Sequence, residues 1–213
     1  MTGVPRPDYL RGMRALKQVV LATGNPGKAR EMESLLGDGF ETLPQANFEV
    51  VSPAETGASF LENALLKARH AAALSGLPAI GDDSGLEVDA LDGAPGIFSA
   101  RYAGIDANDE MNVAKLLKQL REVPVGRRQA RFRCVAVYVR SADDPSPVIV
   151  EGAWEGSIAL IAKGQRGFGY DPVFIDRDSG STAAELDAKA KNARSHRGQA
   201  MQSLKLKLAA LPD

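Results

Sequence analysis

Two adjacent carboxylates, Asp82 and Asp83, interrupt the apolar start of the stretch "AIGDDSGLEVDALDGAPGIFSARYAG", residues 79–104. Read as the end of a short strand, the pair repels itself unless a cation or hydrogen-bond donors compensate it, and a hard divalent ion does this best. The bland alternative is a helix cap or a solvated turn. Upstream, "TGNPGK" spans Thr23, Gly24, Asn25, Pro26, Gly27 and Lys28. It has what a phosphate site needs: small residues that let amides approach, a helix N-terminus with partial positive charge, and a full charge on Lys28. Glycine and asparagine at a strand-to-helix turn are equally ordinary turn chemistry, and the spacing is not that of a Walker loop. Magnesium takes carboxylate oxygens together with phosphate and water, so an acidic cluster facing a phosphate loop is chemically coherent. Glu55 and Glu62 add further acids, Glu62 doubling as the partner in a capping box with Ser59.

The cations gather late in the chain. Lys189, Lys191, Arg194, His196 and Arg197 crowd one segment, and "GFGYDP" at 167–172 sets Phe168 and Tyr170 among glycines. Such a run is either a solvated face or a donor set, in which a ring stacks a base while Lys191, His196 and Arg197 donate to it or to phosphate. Zinc-ligand spacing, a GxSxG elbow and a distributed basic patch are all missing, which disfavours zinc chemistry, acyl transfer and nucleic-acid reading. Lysine plus arginine number 26 against 27 acids, a net charge of −1, so no global field draws nucleic acid or an anionic membrane. No apolar run approaches the ~18 residues of a membrane span. Cys134 is the single cysteine and lies in "ARFRCVAVYV", where an inert buried thiol is expected; a chain without disulfides suits the reducing cytoplasm.

These residues must be positioned by a chain of 213 residues, 44% hydrophobic, which suits one domain over 18–213 behind an extension at 1–17. "KQVVLA" reads as a strand leading into a helix capped by Asn25, with Pro26 first and Gly37 and Gly39 at its end. The helix from Ser59 has Leu61, Leu65, Ala68 and Ala72 as its inward stripe and Asn63, Lys67 and His70 opposite. A strand at "LPAIGDDSG" follows, then a helix with Met111, Ala114, Leu117 and Leu116 or Leu120 inward, then a long hairpin around "SADDPSP". A Thr182–Glu185 capping box opens the last helix, with Met201, Leu204, Leu208 and Leu211 on one side. This order predicts an α/β fold, a mixed sheet with helices packed on it.

Five blocks then stand in order: "LATGNPGKAREM", "ETGASFLENALLKAR", "AIGDDSGLEVDALDGAPGIFSARYAG", "GFGYDPVF" and "AELDAKAKNARSHRGQA". Together, from Lys17 to the C-terminus, they resemble the inosine/xanthosine triphosphate pyrophosphatase family. The resemblance implies an elongated mixed sheet with two lobes around a cleft. It also implies Mg2+-dependent hydrolysis of ITP, dITP or XTP to the monophosphate and pyrophosphate, by a homodimer. Carried onto this chain, Thr23 to Lys28 hold phosphates, Glu55 and Asp83 serve the metal, Asp83 is the base for water, and Lys67 adds charge at the phosphates. Ser84, Phe168, Gly169, Tyr170, Asp171, Lys191, His196 and Arg197 bind the nucleotide, the last two at the base. The rival readings are a nucleotide-binding module without catalysis and a general or kinase-like NTPase.

Overall fold

The computed structural model describes residues 17–210. Six strands form one mixed sheet in the order β2-β1-β3-β4-β5-β6. β1 (Lys17–Ala22), β2 (Phe40–Pro44) and β3 (Ala79–Val88) are parallel. β4 (Gln129–Val139), β5 (Val148–Ile158) and β6 (Phe174–Asp176) continue the sheet antiparallel. Five α-helices cover it: α1 (Pro26–Leu36), α2 (Phe60–Ser75), α3 (Asp109–Gln119), α4 (Ala188–Arg194) and α5 (His196–Ala209).

Alternation along the strands sorts the core. Val19 and Leu21 join Ile80, Cys134 and Ala136 on the face covered by α1 and α5, with Met32, Leu36, Met201 and Leu204. Val20 and Ala22 join Ala79, Val135 and Val137 under α2, with Ala64, Ala68 and Ala71. Both faces of the central strands are therefore dry, which explains their nearly continuous apolar composition. Burial pushes the Cys134 thiol up to about 12, so it is an inert core group. A third cluster at the far end holds Leu86, Leu116, Leu120, Phe132, Trp154 and Phe174.

The expected first strand, the Asn25-capped helix, the Ser59–Glu62 box and the long hairpin are all present. Four readings need correction. Asp82 and Asp83 do not end a strand, because β3 runs on to Val88. On α2 the buried ridge is Ala64, Ala68, Ala71 and Ala72, with Leu61 exposed, since α2 lies so close to β3 that a Cβ on Gly81 would stand 2.4 Å from Ala64 O. On α3 Met111 and Ala114 are exposed, whereas Asn112, Leu116 and Leu120 point inward. Asn112 fixes that rotation by donating to Ala100 O at 3.1 Å and accepting from Ala103 N at 2.8 Å.

The Thr182–Glu185 box closes on a turn, and the expected single terminal helix is two, α4 capped by Asp187 and α5 by Ser195. Met201, Leu204 and Leu208 are buried as expected; Leu211 lies outside the described residues, as does the N-terminal extension apart from Lys17, where β1 begins. The short strands β2 and β6 have no counterpart in the sequence reading.

Candidate active site

The last register of β1 with β3 is Ala22 with Gly81, after which β1 turns away through Thr23–Asn25 into the first turn of α1, which carries Lys28, and β3 continues paired only with β4. The edge of β3 is thereby uncovered at the carboxyl end of a parallel pair, the place where open α/β sheets form crevices. A cleft of about 750 Å³, its open mouth included, lies there and is lined in part by Lys28, Glu55, Asp83, Ser84, Phe168 and His196.

Successive residues on a strand face opposite sides of the sheet. Asp82 turns toward α1 and α5, where its Oδ2 meets Lys28 Nζ at 3.1 Å and Arg197 Nη2 at 3.5 Å. Asp83 turns toward α2, where its Oδ1 accepts from Lys67 Nζ at 2.8 Å and its Oδ2 from Asn63 Nδ2 at 3.2 Å. The expected mutual repulsion is thus relieved by geometry, each carboxylate having its own cation. Burial would raise Asp82, but Lys28, Arg197 and Lys67 hold it well below the ordinary aspartate range. For Asp83 burial prevails over the pull of Lys67 and Lys28, and its carboxyl is raised.

Lys67 also grips Glu55, whose Oε1 lies at 3.0 Å while its Oε2 accepts from Arg101 Nη1 at 2.7 Å. Burial alone would lower the Lys67 ammonium; the charges of Asp82, Asp83 and Glu55 outweigh it and raise it. Burial would raise Glu55, but Lys67 and Arg101 lower it. Asn63 completes the frame, its Oδ1 accepting from Gly57 N at 2.8 Å and so fixing the loop that carries Glu55. Two carboxylates converging on one ammonium at the cleft wall suit a hard cation that draws its remaining ligands from phosphate and water. No cluster of three or more His, Cys, Asp or Glu among the described residues could hold an ion unaided.

The other end of the cleft is built by the corner between α4 and α5. Ser195 ends α4 and caps α5, and a Cβ on Gly198 would stand 1.9 Å from Asn192 O, so only glycine permits the corner. Lys191, His196 and Arg197 are all buried there. Lys191 Nζ donates to Glu31 at 2.8 Å and to Asp171 at 2.6 Å, and Arg197 pairs with Glu31 through Nη1. Both cations lie over the Phe168 ring, 4.9 and 5.8 Å from its centroid. His196 stacks on Phe132 at 4.8 Å, and its Nδ1 is buried with no partner. Burial and then the charges of Arg197 and Lys191 lower its basicity far enough to keep the ring neutral, whereas Arg197 is raised and permanently charged.

The structure thus gathers Asn25, Lys28, Glu55, Asp83, Ser84, Phe168, Gly169, Tyr170, Asp171, Lys191, His196 and Arg197 around one cleft, with Lys67 behind the two carboxylates. Thr23, Gly24, Pro26 and Gly27 lie outside its lining. The amides of Gly27 and Lys28 are taken by Asn25 Oδ1 at 2.8 and 3.1 Å, and that of Asn25 by Thr23 Oγ1 at 3.1 Å. The loop therefore offers the cleft its lysine rather than these amides. Tyr170 is a core ring whose hydroxyl donates to Ser99 O at 2.9 Å, which leaves Phe168 as the ring able to meet a base. Sequence reasoning passed over Glu31 and gave Arg101 no role. Glu31 lies three residues after Lys28 on the same helical face, and that spacing was the signal available for it.

The Ham1 family model matches residues 19–207. A dITP/XTP pyrophosphatase of Thioalkalivibrio sulfidiphilus is 60% identical over 88% of this chain and 96% of its own length. One from Pectobacterium atrosepticum is 56% identical over 89% and 96%. A HAM1 protein of Coxiella burnetii superposes with a TM-score of 0.84 at 47% identity, covering 92% of this chain and all of the other. The family model spans the residues that build the cleft, the relatives and the solved fold cover most of the chain, and the chain belongs to the Ham1 family.

Proposed function

We propose that this protein is a nucleoside triphosphate pyrophosphatase that cleaves ITP, dITP and XTP between the α and β phosphates, releasing the monophosphate and pyrophosphate. The observation that carries the reading is Lys67 gripping both Glu55 and Asp83 at one end of a cleft whose other end holds His196 and Arg197. The names of the relatives agree with it.

Asp83 is the base. Its raised carboxyl, aimed by Lys67 and Asn63, takes the proton of the water that attacks phosphorus. Lys28 meets the negative oxygens of the triphosphate tail, stabilising charge that grows in the transition state, and Lys67 adds its charge from behind Glu55 and Asp83, which it holds in place. Glu55 and Asp83 would hold Mg2+, which when bound draws charge from the phosphate oxygens. Phe168 stacks the base, Ser84, Gly169, Asp171 and Lys191 frame the nucleotide, and His196 and Arg197 present donors to a 6-oxo acceptor. Adenine turns a 6-amino group toward the same donors and leaves them unpaired, which discriminates by roughly 10²-fold or more.

The test is product analysis with ITP and Mg2+. Equimolar IMP and pyrophosphate are expected; IDP and orthophosphate would overturn the cleavage position, and ITP binding without product would make the protein a binding module. A panel of ITP, XTP, dITP, GTP and ATP then ranks the substrates. We also propose a cytoplasmic homodimer, in keeping with the family resemblance, and light scattering should return twice the chain mass.

A further inference from the structure

Asp82 is buried beneath the cleft and serves both of its ends. Its Oδ2 receives Lys28 Nζ from the phosphate loop at 3.1 Å, Arg197 Nη2 from the base-reading corner at 3.5 Å, and Ser84 Oγ at 3.3 Å. Its Oδ1 is buried and has no partner. One oxygen atom therefore carries every polar contact that positions this carboxylate. The Asp82 side chain is fully buried and those of Arg197 and Lys28 are 2% and 14% exposed, so water screens the triad poorly. A displacement of Arg197 is felt by Lys28 through that shared atom.

We propose that Asp82 is a positioning residue that couples the identity of the base to the phosphate end of the site. This rests on the function proposed above and deepens it. A 6-oxo purine accepts from Arg197 and leaves it seated on Asp82, and Asp82 in turn keeps Lys28 aimed at the triphosphate tail. A 6-amino purine faces Arg197 with a donor and pushes it off its seat. The carboxylate then pairs with Lys28 alone, its nearest remaining partner at 3.1 Å, and draws that ammonium back from the triphosphate tail. Discrimination then falls on the chemical step as well as on binding, because Lys28 acts where charge develops.

The experiment measures kcat and KM separately for ITP and ATP, in the full-length protein and in Asp82→Asn and Asp82→Glu. In the unsubstituted protein kcat for ATP should lie about tenfold or more below that for ITP, the scale of one lost charge-assisted hydrogen bond. Asp82→Asn keeps the shape and removes the charge; its kcat ratio of ITP to ATP should fall about tenfold, chiefly through slower ITP turnover. Asp82→Glu, which restores the charge, should recover part of that ratio. A purely structural role would slow both nucleotides alike and leave the ratio unchanged, which overturns the coupling. Equal kcat values in the unsubstituted protein, with all discrimination in KM, overturn it whether or not the variants fold. If that protein forms no IMP and pyrophosphate from ITP, the proposed function fails and the coupling with it, an outcome distinct from the other two because they are read from product formation.

Discussion

Adjacent residues with the same side chain do different work here because a strand alternates its faces. Asp82 is held low by Lys28 and Arg197, whereas Asp83, one position on, is raised by burial and aimed by α2. Only the raised, cleft-facing carboxyl suits proton transfer, so the two acids separate experimentally. Asp83→Asn is expected to lower kcat by about 10²–10⁴-fold, the usual contribution of a positioned base. Its fold should survive, because Lys67 keeps Glu55 as a counter-charge. Steady-state kinetics beside a circular dichroism melt measures both, and full turnover in the variant removes Asp83 from the chemistry. Lys67→Met behaves differently. It leaves Asp83 buried with its nearest cation gone, so turnover should fall and stability should drop by about 3 kcal/mol in urea unfolding.

The elements carry these residues through close approaches that tolerate no side chain. A Cβ on Gly152 of β5 would stand 2.0 Å from His196 O and 3.0 Å from Ala200 N, so α5 lies directly on the strand at the turn that bears His196 and Arg197. Gly152→Ala is expected to cost about 1–3 kcal/mol through overpacking. It should also raise KM for ITP, because the N-terminus of α5 carries His196 and Arg197 away from the cleft. Gly126→Ala, where nothing lies within 4 Å of the added Cβ, is the control and should change stability by less than about 0.5 kcal/mol. Thermal melts and ITP kinetics on the pair decide it. This geometry also explains what was legible beforehand. Asn25, Ser59 and the hairpin announce themselves by local chemistry, and they fold as read. The rotation of α2 and α3 was not legible, because Asn63, Lys67 and Asn112 are polar yet buried, and hydrophobic periodicity turns such residues outward. The break at Ser195 was written as Ser195 and Gly198, a cap and a close approach, inside a run whose apolar spacing reads straight through. The five quoted blocks named nearly every side chain around the cleft, but not that Asp82 and Asp83 point apart, since that depends on which helix covers each face.

At the scale of the whole molecule, a site wedged between the sheet and its helices ties stability to the protonation of His196, the group proposed to meet the base. His196 is enclosed by Phe132 on one side; burial first, then the charges of Arg197, Lys191 and Lys28, press its basicity down, and Asp82 opposes them. Folded, it remains neutral; unfolded, it titrates at its ordinary value of about 6.5. Well above that pH both states leave it unprotonated and it contributes no pH dependence. As pH falls through about 6.5 the unfolded chain takes up a proton that the folded one refuses, so this group's contribution to stability must decline, at up to ~1.4 kcal/mol per pH unit. The lowered carboxyls, Asp82 and Glu55, also make stability fall with acid, but only below their ordinary values of 3.8 and 4.5, whereas the raised carboxyls Asp83 and Asp171 take up protons in the folded chain first and oppose the decline, so the imidazole's share is the difference between the unsubstituted protein and a His196 variant. Urea unfolding at pH 7.5, 6.5 and 5.5 should therefore show the unsubstituted protein losing, relative to His196→Gln, about 0.4 kcal/mol over the first interval and about 1 kcal/mol over the second. His196→Gln, though less stable at every pH, lacks the imidazole's share of the decline. Parallel slopes in the two proteins would mean that the buried ring takes up its proton in the folded state, and a charged imidazolium, not a neutral ring, would then be what meets the base.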